Sequence, residues 1–153
     1  MQINVEKLRY IPIETDKELM KPYLNHAFCR MVFDLYAEFY PKVGYQPPWI
    51  GYFVLYGDDV VGVGGYKGGP VNGRVEIAYG TLPEFEGQGI SSRTCKFLTT
   101  LALETHADLQ VTARTLMEEN ASTSILRKNG YKWVGTIVDP EDGEVWEWIF
   151  VGP

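Results

Sequence analysis

Residues 76–91, Glu-Ile-Ala-Tyr-Gly-Thr-Leu-Pro-Glu-Phe-Glu-Gly-Gln-Gly-Ile-Ser, restrict the fold more than any other stretch of this chain. Residues 74–82 read as a strand, launched by the turn signal Asn72-Gly73. The strand runs through Gly87-Gln88-Gly89 straight into an amphipathic helix from Ile90 to about Thr105, with Ile90, Thr94, Phe97, Leu98 and Leu101 on its inward face. A short strand over 109–115 follows. Glycines permit the tight or left-handed backbone that lets consecutive N–H groups converge on an anion. The helix start adds unpaired amides and the positive end of its dipole. The loop is therefore a candidate pyrophosphate cradle built from backbone. It is not a Walker A loop, because no Gly-Lys-Ser/Thr follows, and it lacks the third glycine of a dinucleotide fingerprint. Taken alone, the two glycines could also simply turn the chain.

The rest of the chain reads as strands and helices around this unit. Residues 3–13 read as a strand, and Thr15-Asp16-Lys17-Glu18 as a capping-box helix start that Pro22 interrupts. From Leu24 the positions Leu24, Phe28, Met31, Leu35 and Phe39 fall at helical spacing, predicting a helix that ends before Pro41. A hairpin follows, with strands 52–56 and 60–66 about a Gly57-Asp58-Asp59 turn; Gly64-Gly65 suggest a bulge near its end. A second late helix covers 121–128 and stops at Asn129-Gly130. A closing hairpin pairs 131–138 with 144–150. Antiparallel hairpins flanking a strand–helix–strand crossover predict a mixed sheet covered by helices.

At 153 residues the chain fits one domain spanning 1–153. The formal net charge of −6 argues against nucleic acid, whose phosphates need a basic footprint, and is compatible with a cationic substrate. The N-terminus lacks a basic stretch followed by an apolar run, so no signal peptide is expected, and no apolar segment approaches a membrane span. Cys29 and Cys95 show no CxxC pairing and read as reduced, mostly buried thiols of a cytoplasmic protein. His26 and Cys29 sit at i, i+3 in an apolar helix, which favours core over nucleophile. Two histidines and two scattered cysteines make no recognisable metal site.

Two motifs at this spacing resemble the GNAT superfamily of N-acetyltransferases, particularly the branch of ribosomal-protein alanine acetyltransferases. The family's phosphate loop, often written Arg-Gly-x-Gly-apolar-small, is similar to Glu86-Gly87-Gln88-Gly89-Ile90-Ser91, with Glu86 where Arg is common. The family's late helix, Asn-x-Ala-Ser followed by an apolar pair and Lys-x-Gly-Phe, resembles residues 119–131; Glu119 holds the usual Asn position and Asn120 stands beside it. The resemblance runs from about Trp49 to Trp148, and the first 48 residues match in layout only.

The resemblance implies a mixed, mostly antiparallel sheet of about six to seven strands flanked by about four helices, splayed between the fourth and fifth strands. It implies acetyl-CoA as cosubstrate and no metal. The pyrophosphate would lie on the amides of Gly87, Gln88, Gly89, Ile90 and Ser91, with Glu86 a further cofactor-binding residue, and the acetyl carbonyl near Thr81 and Leu82. Asn120 and Ser122 would touch the thioester arm; the structural alternative makes Asn120 a helix N-cap and Ser122 a first-turn residue. A primary amine, on a small molecule or a peptide, would attack directly in a ternary complex, in a protein free to act as a homodimer and without a membrane partner. Family members use the early helices to line the acceptor groove, which nominates Phe33, Tyr36, Tyr40, Tyr45 and Trp49, each equally explained by core packing. Relatives often place a Tyr acid near Leu126, where this chain has none, leaving Ser122 or water as proton donor. Strand alternation puts Glu76, Ala78 and Gly80 on one face, with small residues beside the carboxylate, so Glu76 is the candidate general base. A solvent-facing or ion-paired Glu is the alternative. A non-catalytic acyl-CoA sensor would keep the same phosphate loop.

Overall fold

The computed structural model describes residues 1–152. Seven strands form one sheet in the order β1-β2-β3-β4-β5-β7-β6. They are β1 (Arg9–Pro12), β2 (Gly51–Tyr56), β3 (Asp59–Tyr66), β4 (Arg74–Thr81), β5 (Gln110–Thr115), β6 (Tyr131–Asp139) and β7 (Gly143–Phe150). All neighbours are antiparallel except β4 and β5. Four helices flank them: α1 (Lys17–Met20), α2 (Ala27–Val43), α3 (Ile90–Thr105) and α4 (Ala121–Lys128). This is the expected mixed sheet with its crossover through α3.

The alternation of each strand sorts its residues between two helical layers. On one face Val75, Ile77, Val111, Ala113 and Trp148 pack against Cys95, Leu98 and Ala102 of α3 and Leu126 of α4. On the other, Phe53 and Leu55 pack against Cys29, Val32 and Phe33 of α2, with Met20 of α1 and Ile13. The splay lies where expected. The β4–β5 register begins at Arg74↔Gln110 and ends at Ile77↔Ala113. The antiparallel β3–β4 register continues to Gly62↔Thr81, so the second half of β4 has a strand on one side only.

Four local expectations are corrected. The stretch 3–13 is not one strand: Asn4 caps a 3-10 turn over Val5–Lys7, and only Arg9–Pro12 pair with β2. The helix does not stop before Pro41 but carries it in its last turn, where the ring displaces a single helical N–H, and Gly44 at φ 89 ends it. The buried face of α2 is Cys29, Val32, Phe33 and Tyr40, whereas Met31 and Leu35 of the predicted stripe are 54% and 60% exposed. Two apolar stripes interleave on this helix, and periodicity alone ranks neither. Finally, Gly64 and Gly65 pair regularly with Tyr52 and Gly51, and the register shift lies between Val54 and Leu55.

The paired glycines answer to packing instead. A Cβ on Gly64 would lie 2.5 Å from Cγ2 of Thr94 and 3.3 Å from Cδ1 of Leu98, on α3. A Cβ on Gly65 would lie 2.7 Å from the Tyr36 hydroxyl oxygen, on α2. Gly64 admits the α3 layer, and Gly65 together with Gly51 admits Tyr36 of α2. Gly64→Ala should therefore lower stability by about 1–3 kcal/mol through overpacking. Gly80→Ala, where a Cβ meets nothing within 4 Å, should stay within about 0.5 kcal/mol. Urea denaturation midpoints of the two variants check this; equal midpoints would remove the packing explanation.

Candidate active site

The strand β4 delivers the chain through a 3-10 turn, Pro83–Phe85, into the loop before α3. Gly87 and Gly89 hold φ of 80° and 84°, values that L side chains rarely adopt, so the loop needs glycine at both positions. Gly89 is the N-cap of α3 and offers no side-chain cap, leaving the first-turn amides open. Thr81 and Ser91 close the loop base through a hydroxyl pair at 2.6 Å.

Opposite this loop stands the N-terminal half of α4. Asn120 accepts from the Thr123 N–H at 3.2 Å, and Thr123 Oγ1 accepts from the Asn120 N–H at 3.0 Å, a reciprocal capping box. The Thr123 hydroxyl also donates to Glu119 Oε2 at 2.9 Å, and Arg127 clasps the Glu119 carboxylate. The Arg127 guanidinium lies 4.9 Å over the Trp148 ring. The start of α4 is thereby fixed to the sheet.

Between the two helix starts is a cleft of about 670 Å³. It brings together Thr81, Glu86, Gly87, Gly89, Ile90, Ser91 and Ser122 of the expected site residues. Leu82, Gln88, Asn120 and Glu76 are not among the side chains that line it. Leu82 packs in the α2-side cluster. The Gln88 carboxamide accepts from the Ile3 N–H at 2.8 Å, tying the loop to the N-terminal segment.

Glu76 stands outside the cleft, farther back along β4 on the face it shares with Ala78 and Gly80. Its Oε2 is 3.0 Å from Lys67 Nζ, outside hydrogen-bonding geometry, and its Oε1 is 3.4 Å from Arg114 Nε. Arg114 donates to Asp139 Oδ2 at 2.8 Å and lies 3.8 Å from Glu147.

Sequence reasoning missed several cleft residues, chiefly Tyr79, Gly80 and Lys128. Helical periodicity could have found Lys128. Once Ala121 is assigned to the cleft, Ser124, Ile125 and Lys128 fall on the same face of α4, and all three line it. Lys128 is the one cation among the described lining residues, facing a loop that carries the acidic Glu86. Tyr79 borders the cleft and packs against the core cluster that holds Cys95; burial pushes its hydroxyl up and the Cys95 thiol to about 12. Neither ionises near neutral pH. The aromatic set divides: Phe33, Tyr40 and Trp49 are buried core, and Tyr36 and Tyr45 are half-buried. Among the described residues no group of three or more His, Cys, Asp or Glu side chains could hold a metal ion, and no helix is long and apolar enough to cross a membrane.

No curated protein matches the chain by sequence. Among solved structures, the RimL ribosomal L7/L12 alpha-N-protein acetyltransferase in complex with coenzyme A is similar, with TM-score 0.68 at 16% identity over 94% of this chain and 93% of that one. An acetyltransferase from Salmonella typhimurium that modifies the N-terminal serine of ribosomal protein L7/L12 gives TM-score 0.67 at 17% identity, covering 96% of each chain. A variant of the spermidine N-acetyltransferase SpeG from Vibrio cholerae gives 0.68 at 15% identity over 95% of this chain and 94% of that one. At such identities these likenesses speak for the fold. The family model for the acetyltransferase (GNAT) domain matches residues 4–132, most of the chain, and the protein belongs to the GNAT family of acetyl-CoA-dependent N-acetyltransferases.

Proposed function

We propose that this chain, acting as a single domain, holds acetyl-CoA in the cleft between the two helix starts and passes its acetyl group to a primary amine by direct attack in a ternary complex. The observation that carries this reading is the cleft itself. It opens where the β4–β5 pairing stops, and it is lined by a two-glycine loop at a helix start. A Cβ on Gly80 or Gly87 would meet nothing within 4 Å, so glycine at both positions leaves open space where a ligand is expected. Acetyl-CoA supplies an activated acyl group and a pyrophosphate, whose charge the loop meets with amides rather than side chains. The amides of Gly87, Gln88, Gly89, Ile90 and Ser91 hold the phosphates, aided by the dipole of α3 and by Lys128, which offsets the acidic Glu86.

The thioester arm lies along the free side of β4 toward Thr81 and Leu82, where unpaired strand groups accept it as a sheet edge accepts a peptide. The Asn120 side-chain oxygen is committed to the cap, and its amide nitrogen remains the group that can donate to the arm. Ser122, on the cleft wall, or a water protonates the departing thiolate, a modest demand for a thiol of pKa near ~8.5. An alkylammonium of pKa near ~10.4 must lose a proton before it attacks. Glu76 accepts that proton. Four residue steps of strand take it to Gly80 at the cleft, about 13 Å at roughly 3.3 Å per residue, so it acts through ordered water. The amine acceptors of the neighbours, a ribosomal-protein N-terminus and spermidine, support the acceptor class.

Three outcomes are expected. Gly89→Asp places a charge and a side chain at the loop's left-handed position and should weaken CoA binding at least tenfold by calorimetry; unchanged affinity would move the phosphates elsewhere. Glu76→Gln should lower kcat by roughly 10²-fold at unchanged acetyl-CoA KM, whereas full kcat across neutral pH rules Glu76 out as the base. Asn120→Asp keeps the cap and removes the amide donor, so acetyl-CoA KM should rise while the melting temperature holds. Asn120→Ala should in addition cost about 1 kcal/mol of stability. An Asp variant with native KM assigns Asn120 to the cap alone.

A further inference from the structure

The face of β4 that carries Glu76 is uncovered beside α2. Ala78 is exposed although β4 has strands on both sides through Ile77, and no helix of the described chain seals the surface above it. A groove of about 310 Å³ lies here, lined by Leu35, Tyr36 and Phe39 of α2 with Gly65, Lys67 and Ala78. Tyr36 and Phe39 meet edge to face at 6.1 Å and 75°, giving the groove a fixed aromatic wall. Gly65 lets the Tyr36 ring lie against the sheet, and burial pushes the Tyr36 hydroxyl up to about 12, so the wall stays neutral. Leu35 forms the rim at 60% exposure, and Met31, one turn earlier and 54% exposed, extends the same apolar stripe. Large exposed apolar side chains in register along one helix mark a surface that something else covers.

The groove and the donor cleft have no lining residue in common but adjoin along one strand, at Ala78 on the groove side and Tyr79 and Gly80 on the cleft side. Along one face of β4, Glu76, Ala78 and Gly80 stand in a row, and Gly80 also borders the donor cleft. An acceptor nitrogen held at Gly80 therefore has its attached group over Ala78 and against Leu35, Tyr36 and Phe39. Charge then separates the candidates. The one charged side chain lining the groove is Lys67, a cation, and the nearby Glu76 carboxylate already has Lys67 at 3.0 Å and Arg114 at 3.4 Å. A polyamine would bury further ammonium groups against an apolar wall and a like charge, without a free carboxylate to receive them. A small polar group, such as a serine side chain, would leave the wall wet.

We propose that the acceptor is a primary amine bearing one apolar group that lies in the α2–β4 groove; this rests on the acetyl-transfer reading above. The same chemistry is offered by a free arylalkyl or alkyl monoamine and by a peptide whose first residue is apolar. The protein with acetyl-CoA is assayed against 2-phenylethylamine, a peptide beginning with Leu, the same peptide beginning with Ser, and spermidine. At least one of the first two should exceed both of the others in kcat/KM by roughly tenfold or more, and which one does so identifies the source. A higher kcat/KM for spermidine or the Ser peptide overturns the proposal. Leu35→Lys, on an exposed helix position, should raise the acceptor KM roughly tenfold while acetyl-CoA KM and melting temperature hold. Unchanged acceptor kinetics in that variant overturn it too, and sedimentation of the variant as a smaller species with native kinetics would assign the stripe to a second copy instead. Calorimetry on the CoA-saturated protein separates the two readings. Binding of 2-phenylethylamine or the Leu peptide that Leu35→Lys abolishes supports the groove even if no amine is acetylated, and absence of any such binding overturns it.

Discussion

The early end of the β4–β5 pairing is the constraint on which this molecule turns. Up to Ile77↔Ala113, β4 is an ordinary interior strand, bonded on both sides. Beyond that point it keeps only β3, and its other edge faces the cleft. A crossover helix is what makes two neighbouring strands parallel, and here that helix begins at Gly89, in the mouth of the opening. Parallel pairing, the gap and the open helix start are thus consequences of a single connection. In an antiparallel hairpin the two strand ends would be tied by a tight turn and could not part in this way.

Close approach of the helices keeps that opening rigid. Gly64 admits α3 and Gly65 admits Tyr36, so both layers press on β3, the strand that still holds the free half of β4. Buried tyrosine hydroxyls then lock the layers to backbone. Tyr66 donates to the Leu98 carbonyl at 2.6 Å, joining sheet to α3. Tyr40 donates to the Ile13 carbonyl at 2.8 Å and accepts from the Gly51 N–H at 3.1 Å, joining α2 to two sheet segments. Each ring fills core volume and spends its hydroxyl on a specific partner, which explains why so aromatic a chain needs no disulfide.

Much of this was legible in the sequence where one local rule had no competitor. Gly87-Gln88-Gly89 before an amphipathic run fixed the start of α3, and Asn120 with Asn129-Gly130 bracketed α4 to the residue. Strand alternation correctly separated Glu76, Ala78 and Gly80 from the buried Val75 and Ile77. Legibility failed where two patterns overlapped. On α2, Met31 and Leu35 share helical spacing with Phe39, but Cys29, Val32, Phe33 and Tyr40 make an equally regular stripe, and only the sheet decides which one is buried. Glycines at 64 and 65 looked like a strand irregularity because sequence does not show what stands above a strand. Partners distant along the chain, such as Gln88 with Ile3 or Lys67 and Arg114 with Glu76, were invisible for the same reason.

The charges around Glu76 bear on why this sheet face stays open. Arg114 is anchored first by Asp139, whose carboxyl is held down at about 2, chiefly by the Arg114 hydrogen bond and then by the backbone N–H groups of Glu141 and Asp142. A depressed carboxylate favours the folded form above its unfolded range and loses that contribution only as pH falls toward about 2, so the anchor holds throughout neutral pH. Arg74 meets Glu147 at 2.7 Å and Lys67 meets Glu76 at 3.0 Å, completing an alternation of cations and carboxylates across β4, β5 and β7. With Asp139 and Glu147 buried and Glu76 largely so, these pairs add little net stability, because desolvation offsets most of their attraction. Covering them with an apolar helix would raise that cost without supplying new partners. The network stands beside the apolar groove, on the same strand that borders the cleft at the start of α3.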